Sequence, residues 1–273
     1  MSAKIRIVSD LHVGHKASVI DRLDALAPLA EGVDWLILNG DTLELKYGDL
    51  DVAHYDAQRE KQRFEQEIAK WDCKVSVITG NHDPEISELH SLTLLDGKVF
   101  VTHGDGLFPN IAPWSSNVDN LEKHASIIDP DATGITEQDL HDYLALHKQV
   151  TIRAHKDDKK YNPTLWGKLK IFLHQTWPPT TPFRILKAWS EVPDRAASLT
   201  ERFGLAPKFI VVGHTHNPGI WTRGKQRVIN LGSYFPWPGA LCIEIEDKTL
   251  NVRRVRKRQN AIEIGRTVAS FKL

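Results

Sequence analysis

Seven residues with metal-ligand chemistry stand where short apolar runs end: Asp10, His12, Asp41, Asn81, His103, His214 and His216. Carboxylates, an amide oxygen and imidazoles form a mixed oxygen and nitrogen donor set. One tetrahedral ion needs four ligands, so a set this large points to two ions. A carboxylate can bridge two metals, and Asp41 is the best candidate for it. Two ions ~3.5–4 Å apart clamp a phosphoryl group, and they lower the pKa of a bound water towards ~7. They also neutralise phosphate oxygens as charge builds up in the transition state. His82, next to Asn81, offers a proton to a leaving group.

A lone His or Asp at a strand end is usually a turn or cap residue. Asp10-x-His12 and Gly40-Asp41 are therefore weak signals alone, and Gly80-Asn81-His82-Asp83 is a moderate one. Gly213-His214-Thr215-His216 is stronger, because two His two apart at a strand end reach neighbouring ions. The recurrence of the same pattern in five blocks carries the reading.

The elements that must present these residues follow from apolar patterning. Ile5 to Val8, Trp35 to Leu38 and the run VSVITGNHD from Val75 read as buried strands leaving through Gly or Asp. A helix from Ser18, with Asp21 as a capping-box partner and Val19, Leu23, Leu26 and Ala30 as its buried face, is predicted between the first two. A second helix is predicted over Ala57 to Trp71, with Phe64, Ile68 and Trp71 on one face. This alternation implies parallel pairing, with ligands at the carboxyl ends of the strands. Leu92 to Leu95 and Lys98 to Thr102 flank Asp96-Gly97 as a hairpin whose second arm reaches His103. Phe209 to Val212 is a further buried strand. Trp221-Thr222, Val228 to Leu231, Leu241 to Glu246 and Leu250 to Val255 read as an antiparallel meander completing a second sheet.

Residues from about Gly106 to Pro207 differ in character. Leu140, Tyr143, Leu144 and His147 fall at helical spacing. Ser190 to Phe203 reads as a helix closed by Gly204. Four of the chain's 8 Trp, Trp114, Trp166, Trp177 and Trp189, lie here. The stretch is predicted to be a mainly helical insertion, 106–206, capping a catalytic domain of 1–105 and 207–273.

With 273 residues, 41% hydrophobic and 26% charged, the chain has the composition of a globular domain with a sizeable insertion. Its 35 basic and 35 acidic residues balance, which argues against a general nucleic-acid coat. The start shows no secretory apolar region and no run is long enough to span a bilayer, so a cytoplasmic setting is expected. Cys73 and Cys242 look like core residues.

In order and spacing, these five blocks resemble the calcineurin-like metallophosphoesterases. The resemblance covers roughly 1–105 and 207–273. It implies an α/β fold, a four-layer αββα sandwich of two mixed β-sheets with helices on both outer faces. It assigns Asp10, His12, Asp41 and His216 to one metal, and Asp41, Asn81, His103 and His214 to the other. It makes His82 the general acid or a phosphate holder, with a bridging hydroxide attacking phosphorus in line. Protein Ser/Thr phosphatases of the family follow Gly-Asp with an Asp-Arg pair. Glu44 and Leu45 stand there instead, so the phosphate-binding Arg is missing, and Glu44 is placed to orient His82. The block 40–49 looks more like the UDP-2,3-diacylglucosamine pyrophosphatases, which also carry a helical insertion before the last His pair. Those enzymes typically have Arg where His82 stands.

The implied cofactors are two divalent ions, with manganese first and iron or zinc as alternatives. The expected partner is a phosphorylated small-molecule or lipid-linked substrate, with no stable nucleic-acid partner. A nuclease acting on DNA or RNA ends and a binding scaffold of the same fold, like the retromer subunit, are the rival readings. Lys156, Lys159, Lys160, Lys168 and Lys170 read as a solvated face or as a peripheral contact with an anionic membrane. Arg253, Arg254, Arg256, Lys257 and Arg258 read as a charged edge strand or as a steering patch. His15 alone among the remaining His lies close in sequence to the site.

Overall fold

Two mixed sheets pack face to face in the computed structural model, which describes residues 3–45, 57–115, 118–158, 180–258 and 261–273. The first sheet has the order β11-β10-β9-β1-β2-β3 and the second the order β4-β5-β6-β8-β7. Their strands are β1 (Ile5–Val8), β2 (Trp35–Asn39), β3 (Lys74–Ile78), β4 (Ser91–Leu94), β5 (Val99–Thr102), β6 (Phe209–Val212), β7 (Gly219–Arg223), β8 (Gln226–Asn230), β9 (Leu241–Glu246), β10 (Thr249–Arg258) and β11 (Ala261–Lys272). β1, β2 and β3 pair in parallel, as do β5, β6 and β8. The carboxyl ends of both parallel sets therefore come to one edge of the sandwich.

Alternation of side chains separates three apolar layers. Ile7, Ile37, Ile243, Val101, Val211 and Ile229 fill the space between the sheets. Val8, Leu36 and Leu38 face outward beneath the short helix α1 (Ala27–Ala30) and α2 (Ala57–Ile68), with Leu26, Leu29 and Phe64 in the layer. Phe100, Ile210, Val212 and Val228 face outward on the other side. There they pack with Leu121, Leu144 and Val192 of α3 (Val118–Ala125), α4 (Glu137–Asp158) and α5 (Thr180–Arg202). The result is the predicted α/β sandwich, with helices on both outer faces.

Three sequence expectations need correction. Ser18 starts no helix: its hydroxyl donates to the Leu11 carbonyl and accepts the Ile20 amide, and helical turns begin only at Leu23. Arg22 is extended, so the chain is not helical before Leu23, and Pro28 sits in the first turn of α1, where its fixed φ fits. The meander is divided between sheets. β7 and β8 join β6, whereas β9 pairs with β1 and β10 with β9. β10 is consequently not an edge strand, because β11 covers it. Its Arg253 donates to Glu244, which also accepts from the buried Arg6 on β1.

The hairpin β4–β5 pairs as predicted, and α5 begins earlier than the expected Ser190. Gly204 takes φ +68°, the left-handed conformation of a helix C-cap. Trp166, Trp177, Lys159, Lys160, Lys168 and Lys170 lie outside the described residues, as does 46–49 of the block beginning at Gly40. No described helix is long and apolar enough to cross a membrane.

Candidate metal centre

The five sequence blocks meet at the shared strand ends. Asp10 and His12 follow β1, Asp41 follows β2, Asn81 and His82 follow β3, His103 follows β5, and His214 and His216 follow β6. Asp10, His12, Asp41, His214 and His216 have φ of 55°, 47°, 48°, 66° and 57°. Non-glycine residues rarely adopt this left-handed conformation, and its clustering marks a place where surrounding structure imposes backbone strain. Glycine supplies the close approaches: a Cβ on Gly80 would strike the Asp41 carboxylate, and one on Gly213 would strike Asp10 and Ser9.

The donors converge in two groups sharing Asp41. Asp10, His12, Asp41 and His216 bring one ligand atom each within 4.8 Å of one another, and Asp41, His103 and His214 do the same. Asn81 completes the second group, with Oδ1 3.2 Å from His103 Nε2. Asp41 Oδ2 lies 3.6 Å from His12 Nε2 and 3.4 Å from His103 Nε2. All seven predicted ligands are thus brought together, and all are buried except His216, which is half-buried.

Four of the imidazoles, those of His103, His214, His12 and His82, are oriented by a bond from one ring nitrogen, which fixes the tautomer. His103 Nδ1 donates to the Asn39 carbonyl at 3.1 Å, and His214 Nε2 donates to the Ile111 carbonyl at 2.9 Å. His12 Nδ1 lies 3.3 Å from Glu44 Oε2. His82 Nδ1 lies 2.8 Å from Glu44 Oε1, so Glu44 orients His82 as anticipated and supports His12 as well. His82 is half-buried, and its amide donates to Asp41 Oδ1 at 2.8 Å.

The electrostatics call for positive charge. Burial opposes ionisation of Asp41, yet His103, His82 and His12 hold its carboxyl well below the usual range. Burial also opposes a charged His103, but Asp41, Asp10 and Asp105 raise its pKa to about 10. Burial, with His103 adding to it, lowers that of His214 to about 4. His214 Nδ1 is buried and has no hydrogen-bond partner among the described residues. His12 Nε2 and His216 Nε2 face each other at 3.1 Å. An orphaned imidazole lone pair, two facing imidazole nitrogens and a carboxylate shared between groups fit a pair of divalent ions.

Several supporting residues were not singled out in the sequence. Asp83, quoted only as part of its block, accepts the amides of Gly80, Asp41, Thr42 and Leu43 at 2.7–3.1 Å, locking two ligand loops together. Burial and the nearby Asp41 raise its pKa to about 6, against the amides that hold the charged form. Phe235 stacks on His12 with ring centroids 5.0 Å apart, and His15 lies 5.1 Å from Phe235 at the same rim. An Asp three residues after a Gly was a readable signal for a loop clamp. Nothing in the sequence marked Phe235.

A sandwich of two mixed sheets, helices on both outer faces, thus gathers carboxylate and imidazole groups at its strand ends as a candidate metal site. The family model for calcineurin-like phosphoesterases matches residues 3–218, and the chain belongs to that family. No curated protein matches it. Among solved structures it is similar to a single mutant of Vps29 from Entamoeba histolytica, at 13% identity over 99% of each chain and a TM-score of 0.45. It is also similar to Yfce, a phosphoesterase from E. coli, at 16% identity over 98% of each chain and a TM-score of 0.42. A predicted phosphoesterase from Streptococcus pneumoniae shares 14% identity over 100% of this chain and 99% of that one, with a TM-score of 0.37.

Proposed function

We propose that the chain is a dinuclear metal-dependent phosphoesterase, hydrolysing a phosphoester or pyrophosphate bond of a small or lipid-linked phosphate. The observation that carries this reading is the sharing of Asp41 between the two donor groups. Asp10, His12, Asp41 and His216 would hold one ion, and Asp41, Asn81, His103 and His214 the other. When bound, such ions supply Lewis-acid activation of water and charge neutralisation at the phosphate.

The protein's own side chains do the rest. His82, with Nδ1 bonded to Glu44, turns Nε2 away from that carboxylate. As an imidazolium it donates its Nε2 proton to the leaving oxygen as the P–O bond breaks. In the same charged form the Nε2 proton also bonds a phosphate oxygen. Water supplies the new P–O bond, so the products are a phosphate and an alcohol, or two phosphates from a pyrophosphate. Asp83 keeps the Asp41 and Asn81 loops in register, and Glu44 keeps His82 from rotating.

The test is a screen of mono-, di- and pyrophosphate esters, acylated sugar nucleotides included, with added Mn²⁺, Fe²⁺ or Zn²⁺. Turnover that chelator abolishes and metal restores, and that Asp41→Asn lacks under every metal, supports the reading. Full activity of purified Asp41→Asn defeats it.

A further inference from the structure

We propose that Lys148, on a helix of the 106–206 insertion, is a positioning residue for the His103 half of the metal centre. This rests on the two-ion reading above. Lys148 is only 4% exposed, and its ammonium donates to Asp105 Oδ1 at 2.7 Å, Asp105 Oδ2 at 2.6 Å and the Thr79 carbonyl at 3.0 Å. An ammonium has three protons, and all three are used. Thr79 directly precedes Gly80-Asn81, and Asp105 lies two residues after His103. One buried cation thus clips the end of β3 to the end of β5, strands of different sheets. These two ends carry Asn81 and His103, whose ligand atoms must meet at 3.2 Å.

Stability alone does not explain the arrangement. A buried ion pair loses much of its attraction to desolvation, and a well-packed apolar pair serves as well or better. What the ammonium adds is a fixed distance between two strand ends. The insertion grips the same half at two other points: Ile111 accepts the His214 ring proton at 2.9 Å, and Trp189 Nε1 donates to the Thr215 carbonyl at 2.8 Å. The helical segment is therefore part of the metal centre's frame.

Calorimetric titration of Mn²⁺ into metal-stripped protein tests the proposal, using wild type, Lys148→Met and the double variant Asp105→Asn/Lys148→Met. The double variant removes both charges together, so neither charge is left buried and unpaired. Wild type takes up two ions. In both variants one affinity falls by about tenfold or more while the other holds, with the near-ultraviolet circular dichroism of a folded chain. Coulomb's law alone predicts the opposite sign for Lys148→Met, since losing a nearby cation favours a dication. Two unchanged or tightened affinities in the folded double variant overturn the proposal and leave the two-ion reading intact. Wild type that takes up no ion overturns both.

Discussion

Glu44 holds His82 by its ring, with Oε1 2.8 Å and Oε2 3.0 Å from Nδ1. Burial alone would raise the Glu44 pKa, but His82 and His12 keep it far below the usual carboxylate value. The carboxylate is thus charged throughout the neutral range. In Glu44→Gln the hydrogen bond remains but the charge that stabilises an imidazolium is lost. The expected outcome is a kcat lowered roughly 10–100-fold with a small change in KM. Steady-state kinetics at matched metal loading checks it, and an unchanged kcat removes Glu44 from the account.

His82→Asn is predicted to show its loss selectively. If the ring protonates a leaving oxygen, esters of alkyl alcohols lose about 10²–10⁴-fold. Esters of acidic phenols, which leave without a proton, lose far less. Equal losses across a series of leaving groups would instead make His82 a phosphate holder.

Asp83→Asn should weaken the fold as well as the site. One oxygen becomes an amide donor facing the Thr42 and Leu43 amides, which Oδ2 accepts at 2.7 and 3.1 Å. Leaving two buried donors unsatisfied costs on the order of 3 kcal/mol. Urea unfolding of the metal-free protein should show a lower midpoint with an unchanged slope. An unshifted midpoint contradicts the clamp.

His147 makes stability depend on pH. Burial lowers its pKa to about 4 from an ordinary 6.5, even though its ring bonds to the Tyr143 carbonyl. Between those values the unfolded chain binds the extra proton, so stability rises with pH. The contribution is complete above pH 6.5 and lost as pH falls towards 4, about 3 kcal/mol in all. Thermal unfolding of the metal-free protein across that window should be shallower in His147→Leu than in wild type. Parallel curves would refute the assignment.

The seven candidate ligands that converge were legible because each sits at a strand end beside a turn-forming residue, a local pattern. Glu44 was legible only through the family resemblance, as the residue standing where the protein Ser/Thr phosphatases carry an Asp. What escaped depends on partners distant in the chain. β9 and β10 alternate much as β7 and β8 do, and nothing local says that β9 pairs with β1 rather than with the preceding β8. Lys148 looks like any solvated lysine on a polar helix until Asp105 and Thr79 are seen beneath it. Ser18 carried a capping pattern, but its hydroxyl went to the Leu11 carbonyl in a turn.

Anomalous diffraction from crystals grown with Mn²⁺ tests the central claim most directly. The account predicts two peaks roughly 3.5–4 Å apart, with the Asp41 carboxylate between them, His12 and His216 on one and His103 and His214 on the other. No peak, or one lying away from Asp41, would contradict it.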